Sequence, residues 1–417
     1  MANVVLTHFS PFFHQGQYQS SVFYDGLIKG FTEEGHNVLQ LITSDFLESP
    51  WNGSNKPYSK AIKKEILNKI KAFKPDLVIS FNNSSIEDIE TTVSCPIAIY
   101  DADTFQFFND KDVLKKNADR YHYMAFLDYG ISDFKRNLGI DSNRVCRIPG
   151  ATAVTARDEE KQYNISFIGH PFFKSDKLIK LLNRHPELIN ISHEEVDNKN
   201  SSVEKLLQEY DVKDYELKHH KTGDRRAQLI TNLIDLKPRV FGPPDWLRLA
   251  SLSSDYIEIY DPAVVYTLQH NEDIYNRSKI SISTNHTQNT SGYPWRIHDI
   301  MASSSVLLSE YRQQLVSDFS DTVNLQLFKS SSEAAELARK LIKDDSLRLE
   351  IITQQKEAID RSFRWKHRFP LIQQLTGADL CSIPGKTGTY ELYRGTFLPI
   401  KKPLLKRIKK KFKKLIK

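Results

Sequence analysis

The stretch that decides the fold reads Tyr163-Asn164-Ile165-Ser166-Phe167-Ile168-Gly169. A short apolar run rich in β-branched and aromatic residues, closing on a glycine, predicts a buried strand. A helix follows over Ser175–Asn183, with Ser175 or Asp176 as its cap. Just upstream, residues 151–162 (ATAVTARDEEKQ) are polar and charged, the composition of a domain boundary. The stretch is therefore the opening of a second unit.

Working back from it, the first unit alternates strands and helices. Asn3–Thr7 reads as a strand, Ser10–Ser20 as a loop, and Ser21–Glu34 as a helix with Phe23, Leu27, Ile28 and Phe31 at helical spacing. Asn37–Thr43, Leu77–Phe81, Cys95–Tyr100, Tyr123–Leu127 and Arg144–Ile148 are apolar runs of strand length, with helices over Lys60–Phe73 and Ser132–Leu138. Working forward, the insertion-like polar stretch Ser192–Arg225, which contains helical pieces, leads to a helix over Arg226–Ile234 and a strand and turn over Arg239–Pro244. A helix within Asp261–Asn276, a strand Lys279–Thr284, a helix Trp295–Ser303, a strand Val306–Ser309 and helices Glu333–Lys343 and Ser346–Arg361 follow. Such alternation predicts α/β architecture, with parallel sheets covered on both faces. The expected organisation is a first Rossmann-like domain over 1–150, a second over 163–361, an extension over 362–400 and a basic segment over 401–417.

Composition bounds the function. The chain has 417 residues, enough for two cores, and a net charge of +6. Residues 401–417 hold ten Lys or Arg and no acid, so the other 400 carry about −4, which argues against a body that grips nucleic acid. Cys95, Cys146 and Cys381 lie far apart without a CxxC pair, pointing to a reducing compartment and no structural zinc. The N-terminus lacks the basic and apolar regions of a signal peptide, and no run approaches the ~20 apolar residues of a spanning helix. No Gly-x-Gly-x-x-Gly follows the first strand, which counts against a dinucleotide oxidoreductase.

Several segments of the second half, in order, resemble the CgeB-like, spore-maturation-type glycosyltransferases, a branch of the retaining GT-B enzymes. Tyr163–Gly169 is similar to the family's opening strand, "Y-D-V-S-F-V-G", and Val240-Phe241-Gly242-Pro243 to "V-Y-G-P". Gly292–Ala302 (GYPWRIHDIMA) is similar to "G-x-N-x-R-x-F-E-x-x-A", and Val306–Tyr311 to "F-L-L-T-D-Y". Residues 364–369 (RWKHRF) resemble "T-Y-x-H-R". Here His298-Asp299 replaces the family's "F-E", Ser303-Ser304 replaces its "C-G", and Ser291 stands where broader relatives have a Glu.

The resemblance implies a GT-B fold, two Rossmann-like domains about a cleft, and a nucleotide-sugar donor bound without a metal. A donor of this kind needs its diphosphate neutralised as the glycosidic bond breaks. Arg296, in a Gly-x-Pro-x-Arg loop before a helix, is implied as the diphosphate contact and lead catalytic residue, because a guanidinium grips phosphate oxygens in a fork. Its plainer reading is a surface Arg or a partner of Asp299. Asp299 is implied as acceptor for ribose or sugar hydroxyls; alternatively it complements the helix's first turn. Gly169 permits close backbone approach, His170 can donate to phosphate, and Lys174 and Lys177 are further cations, each otherwise a solvated lysine. The loop Thr287–Gly292, with Ser291 and Gly292, sits where open α/β sheets place ligands. On the first domain, His14 and Gly16 follow the first strand, and Asp101 and Asp103 end another. Asp103 is a candidate for acceptor binding or general-base work, or else a turn Asp. His219-His220 reads as solvated.

The end of the chain, KKPLLKRIKKKFKKLIK, places Leu404, Leu405, Ile408, Phe412, Leu415 and Ile416 at near-helical spacing among lysines. That is the pattern of a basic amphipathic helix on an anionic membrane surface, where each nearby cation contributes about 1 kcal/mol. The expected function is transfer of a sugar to a glycan or lipid-linked acceptor, with retention, at the cytoplasmic face of the cell membrane. The alternatives are a non-catalytic membrane-surface protein of the same shape, or a phosphotransferase on the same fold.

Overall fold

The computed structural model describes residues 1–8, 12–14, 17–20, 22–42, 60–82, 84, 88–101, 111–192, 195–196, 198, 201–263, 265–287, 289 and 291–393. The strands are β1 (Asn3–His8), β2 (Phe12–His14), β3 (Gln17–Gln19), β4 (Asn37–Ile42), β5 (Leu77–Phe81), β6 (Ile97–Asp101), β7 (Tyr121–Ala125) and β8 (Val145–Arg147) in the first half. The second half holds β9 (Tyr163–Ile168), β10 (Arg239–Phe241), β11 (Tyr260–Asp261), β12 (Ser278–Ser283), β13 (Val306–Glu310) and β14 (Gln326–Phe328), and β15 (Tyr390–Tyr393) comes last. They build a seven-stranded sheet, β15-β4-β1-β5-β6-β7-β8, and a six-stranded one, β11-β10-β9-β12-β13-β14. Among the described residues every pairing in both is parallel.

The period-2 geometry of a strand sends successive side chains to opposite faces, and both faces are covered here. Val4 and Leu6 pack with Leu27 and Phe31 of the helix Val22–Glu33. Val5, Leu39 and Leu41 pack on the other side with Ile66 and Ile70 of the helix Lys60–Phe73. That is why the strands read as apolar runs rather than as alternations. In the second sheet β9 lies between β10 and β12, with Ile280 beside Ile165 and Val306.

Two features depart from the sequence expectation. The expected Ser10–Ser20 loop contains the antiparallel pair β2–β3, with His14 opposite Gln17; a two-residue connection containing glycine is a hairpin signal. The helix expected to start at Arg226 starts at Asp214 instead, so it takes in the end of the polar stretch, where helical pieces were expected. Residues 176–217 form a lobe with its own core of Leu178, Leu181, Leu182, Leu188, Leu207 and Leu217. Past the second sheet, Phe369, Ile372 and Leu375 join the first-domain core, and β15 pairs with β4 through Tyr390↔Val38. No described helix is long and apolar enough to cross a membrane.

Candidate functional site

The second sheet's strand ends converge on a cluster of guanidinium groups. Apolar spacing on the helix Asp214–Leu233 buries Leu229, Ile230 and Leu233, and puts Arg226 on the same face. Arg226 is only 4% exposed. Its Nε donates to Thr284 Oγ1 at 2.9 Å and its Nη1 to the His170 carbonyl at 2.6 Å. Arg296 opens the helix Arg296–Ala302, and its Nη1 donates to the Ile168 carbonyl at 2.8 Å. The two arginines thus hold the backbone on either side of Gly169. Among the described residues neither forms an ion pair. Burial first, then the like charges of Arg296 and Arg225, push the Arg226 pKa down. A buried cation without a carboxylate is costly unless an anion joins it.

Around this pair the backbone is tightly drawn. A Cβ on Gly169 would lie 2.9 Å from the Phe167 ring. Gly292 has φ +77°, and a Cβ there would lie 2.3 Å from Leu127 Cδ2 across the domain boundary. Ser291 beside it is exposed. His170 Nδ1 accepts from the Phe172 N–H at 2.9 Å, so the proton of the neutral ring sits on Nε2. Burial lowers the His170 pKa and favours that neutral form. Its ring stacks on Phe172, whose φ is +49°. Arg225 pairs with Glu310 at 2.7 Å, and Glu310 also accepts from the Asn285 N–H at 2.8 Å, fixing the loop after β12.

Other candidates are placed differently. Lys174 is held by Asp224 at 2.6 Å, and Lys177 is held by Asp211. The Asp299 carboxyl is buried and accepts from Thr152 Oγ1 at 2.6 Å, in the segment joining the two sheets. Burial raises its pKa to about 7 against the lowering by Thr152 and Arg296. Asp101 ends β6, buried close against Gly130. His14 lies in β2, while Gly16, Asp103 and residues 401–417 lie outside the described residues. His219 and His220 are buried rather than solvated, at 6% and 4% exposure. They face inward on the helix Asp214–Leu233, and His219 meets the rings of Phe172 and His286.

Arg226 is the residue the sequence reading missed. Its one signal was register with Leu229, Ile230 and Leu233, weakened because the same face also buries His219, His220 and Thr222. His298 lies among aromatic rings, with its Nε2 3.3 Å from the Tyr293 hydroxyl. It is buried, stacked on Phe363 at 5.0 Å, and burial lowers its pKa to about 3. Among the described residues no group of three or more His, Cys, Asp or Glu side chains is arranged to hold a metal ion.

The two domains meet beside this cluster. Trp295 stacks on Phe126 at 5.3 Å, and its Nε1 donates to the Ala151 carbonyl at 2.6 Å. Arg368 donates to the carbonyls of Pro149 and Gly150 at 2.9 and 3.0 Å, tying the C-terminal segment to the crossing between the sheets.

Residues 225–375 match the family described as "Glycosyl transferase-like". No curated protein matches the chain. Among solved structures, the chain is similar to AviGT4, a glycosyltransferase involved in avilamycin A biosynthesis, at 11% identity and a TM-score of 0.50, covering 91% of this chain and 98% of that one. It is also similar to the T4 phage BGT–UDP-glucose complex, at 10% identity and a TM-score of 0.47, covering 90% and 99%. A third is S. aureus TarM, crystallised with fondaparinux, alpha-GlcNAc-glycerol and UDP, at 13% identity and a TM-score of 0.44. That match covers 74% of this chain, and the chain spans 58% of the length of TarM. The second half of the chain is thus glycosyltransferase-like, and the whole has the two-sheet GT-B architecture.

Proposed function

We propose that this protein is a glycosyltransferase that takes its sugar from a nucleotide-diphosphate donor. The observation that carries the reading is the pair Arg226 and Arg296, held on backbone carbonyls about Gly169 and, among the described residues, in ion pairs with no carboxylate. As the bond from the anomeric carbon to the phosphate oxygen breaks, its electron pair passes to the phosphate. Two fixed guanidinium groups stabilise that charge without having to reorganise. The reading assigns charge neutralisation to these cations rather than to a metal.

Gly169, Gly292 and Ser291 line the approach, and His170 offers its Nε2–H to a phosphate or sugar oxygen. Lys174 would join only by leaving Asp224. Asp299 supports the helix that carries Arg296 in this reading, with one carboxylate oxygen held by Thr152. The first domain supplies the acceptor side, with Asp103 as candidate for acceptor binding or general-base work and His14 and Gly16 as candidates near the donor diphosphate and acceptor. Membership of the CgeB-like branch, retention at the anomeric carbon, a glycan or lipid-linked acceptor and a place on the inner membrane face through residues 401–417 complete the proposal.

Thermal unfolding with a panel of nucleoside diphosphates, their nucleosides and pyrophosphate tests the clamp. A diphosphate at a hundred times its Kd adds about 2.7 kcal/mol of stability. The expected result is stabilisation by one or more diphosphates, none by the matching nucleosides, and loss of the effect in Arg226→Ala and Arg296→Ala. Equal stabilisation of the double variant would remove the clamp. Product analysis with the stabilising nucleotide's sugar conjugates then separates sugar transfer from phosphotransfer.

A further inference from the structure

The lobe over residues 176–217 carries an open groove of about 420 Å³ lined by Lys180, Asn183, Arg184 and Tyr210. Its walls are fixed from below. Leu178, Leu181 and Leu182 anchor the helix Asp176–Arg184 in the lobe's own core, together with Leu188, Leu207 and Leu217. Lys180 and Arg184, four residues apart, stand on one face of that helix. Arg184 Nη1 donates to Tyr210 Oη at 3.2 Å, and its guanidinium lies 5.9 Å from the Tyr210 ring centre, so its direction is set.

The charge on this groove is unmatched. On and beside the lobe some lysines have acids: Lys177 has Asp211, Lys174 has Asp224, and Lys218 lies 3.9 Å from Asp214, whereas Lys205 and Lys213 form no ion pair among the described residues. Among the described residues neither Lys180 nor Arg184 forms an ion pair. Glu209 is the acid whose field reaches Arg184, and no ion pair joins them. Asp211, next along the chain from Tyr210, is already taken by Lys177.

We infer that this groove is a second ligand site, which takes a sugar bearing a phosphate or carboxylate group. The two cations supply the anion's partner. The Asn183 amide and the Tyr210 hydroxyl both donate and accept, as sugar hydroxyls require. Pockets of roughly 300–1,000 Å³ are those that hold small organic molecules, so the groove has room beyond a lone phosphate. The site stands apart from the Arg226–Arg296 pair in residues and does not depend on the donor reading. Tyr210 lies just before the helix Asp214–Leu233, which connects the lobe to Arg225 and Arg226.

Isothermal titration of the full chain with glucose 6-phosphate, glucuronate, inorganic phosphate and glucose tests this. Both acidic sugars are expected to bind, more tightly than inorganic phosphate, with no binding of glucose, and with affinity falling as salt rises. The exposed double variant Lys180→Glu/Arg184→Glu should lose at least tenfold in affinity for both. Arg226→Ala/Arg296→Ala should keep it. Loss in the arginine-pair variant with retention in the groove variant would place the anion at the donor clamp and overturn the inference. Equal binding of glucose and glucose 6-phosphate, or of phosphate and glucose 6-phosphate, would overturn it too, as would no binding of either acidic sugar.

Discussion

Arg226 and Asp299 are both buried ions at the second domain's working end, and they ask for different things. Arg226 keeps its proton across the usual pH range, so it needs an anion. Replacing it by lysine keeps a charge but loses the fork to Thr284 and His170. Arg226→Lys is therefore expected to weaken diphosphate binding by tenfold or more, read by titration calorimetry. Asp299 can shed its difficulty by binding a proton. Its folded pKa of about 7 lies above its ordinary value, so the folded state holds more protons than the unfolded chain between those two values. Stability from this group is present at low pH and is lost as pH rises towards 7. Asp299→Asn keeps an acceptor for Thr152 and removes the titration. Its melting temperature relative to the parent protein should rise steadily from pH 4.5 to 7.5. A constant offset across that range would show that the carboxyl does not titrate there.

At the scale of elements, Gly292 lies close against Leu127 of the other domain. Gly292→Ala places a methyl against Leu127 and holds an alanine at φ +77°, which should cost about 1–3 kcal/mol. Leu127→Ala in the same chain should recover part of the loss, because the clash and the backbone strain are separate costs. A melting temperature equal to that of Gly292→Ala alone would show that the strain carries all of it. Strand and helix positions were legible because their signals are local. Leu77–Phe81 and Lys60–Phe73 read correctly from apolar spacing, and Ser175 caps its helix by accepting from Leu178 N–H at 3.1 Å as its residue type suggests. The short helix Gln313–Phe319 and strand β14 escaped the reading because so few residues carry little periodicity. The candidate site was legible in part. Gly169, His170 and Arg296 gather around one strand end, as their chain positions suggested. Arg226 lay hidden because its neighbours in sequence read as polar surface, and only the fold shows that its face is inside. The same reason explains His219 and His220.

For the whole molecule, the two ends of the sequence behave differently. Residues 401–417 carry ten cations, and their removal is expected to abolish co-flotation with anionic liposomes while leaving nucleotide binding intact. Undiminished flotation would reject a membrane role for that segment. Deleting residues 387–417 goes further and takes away β15, which exposes β4 and breaks the Lys69–Glu391 pair. That variant should melt well below the 401–417 deletion, and equal melting temperatures would show that the strand adds nothing to the sheet.

The pairing of Tyr390 with Val38 also sets an order of events during synthesis. The first domain emerges from the ribosome early, but with one border of its sheet still open, and everything that will build the second domain must be translated before the closing strand arrives. Nascent chains stalled ahead of residue 390 would thus present β4 as the sheet's rim, a place that β15 takes over when synthesis ends.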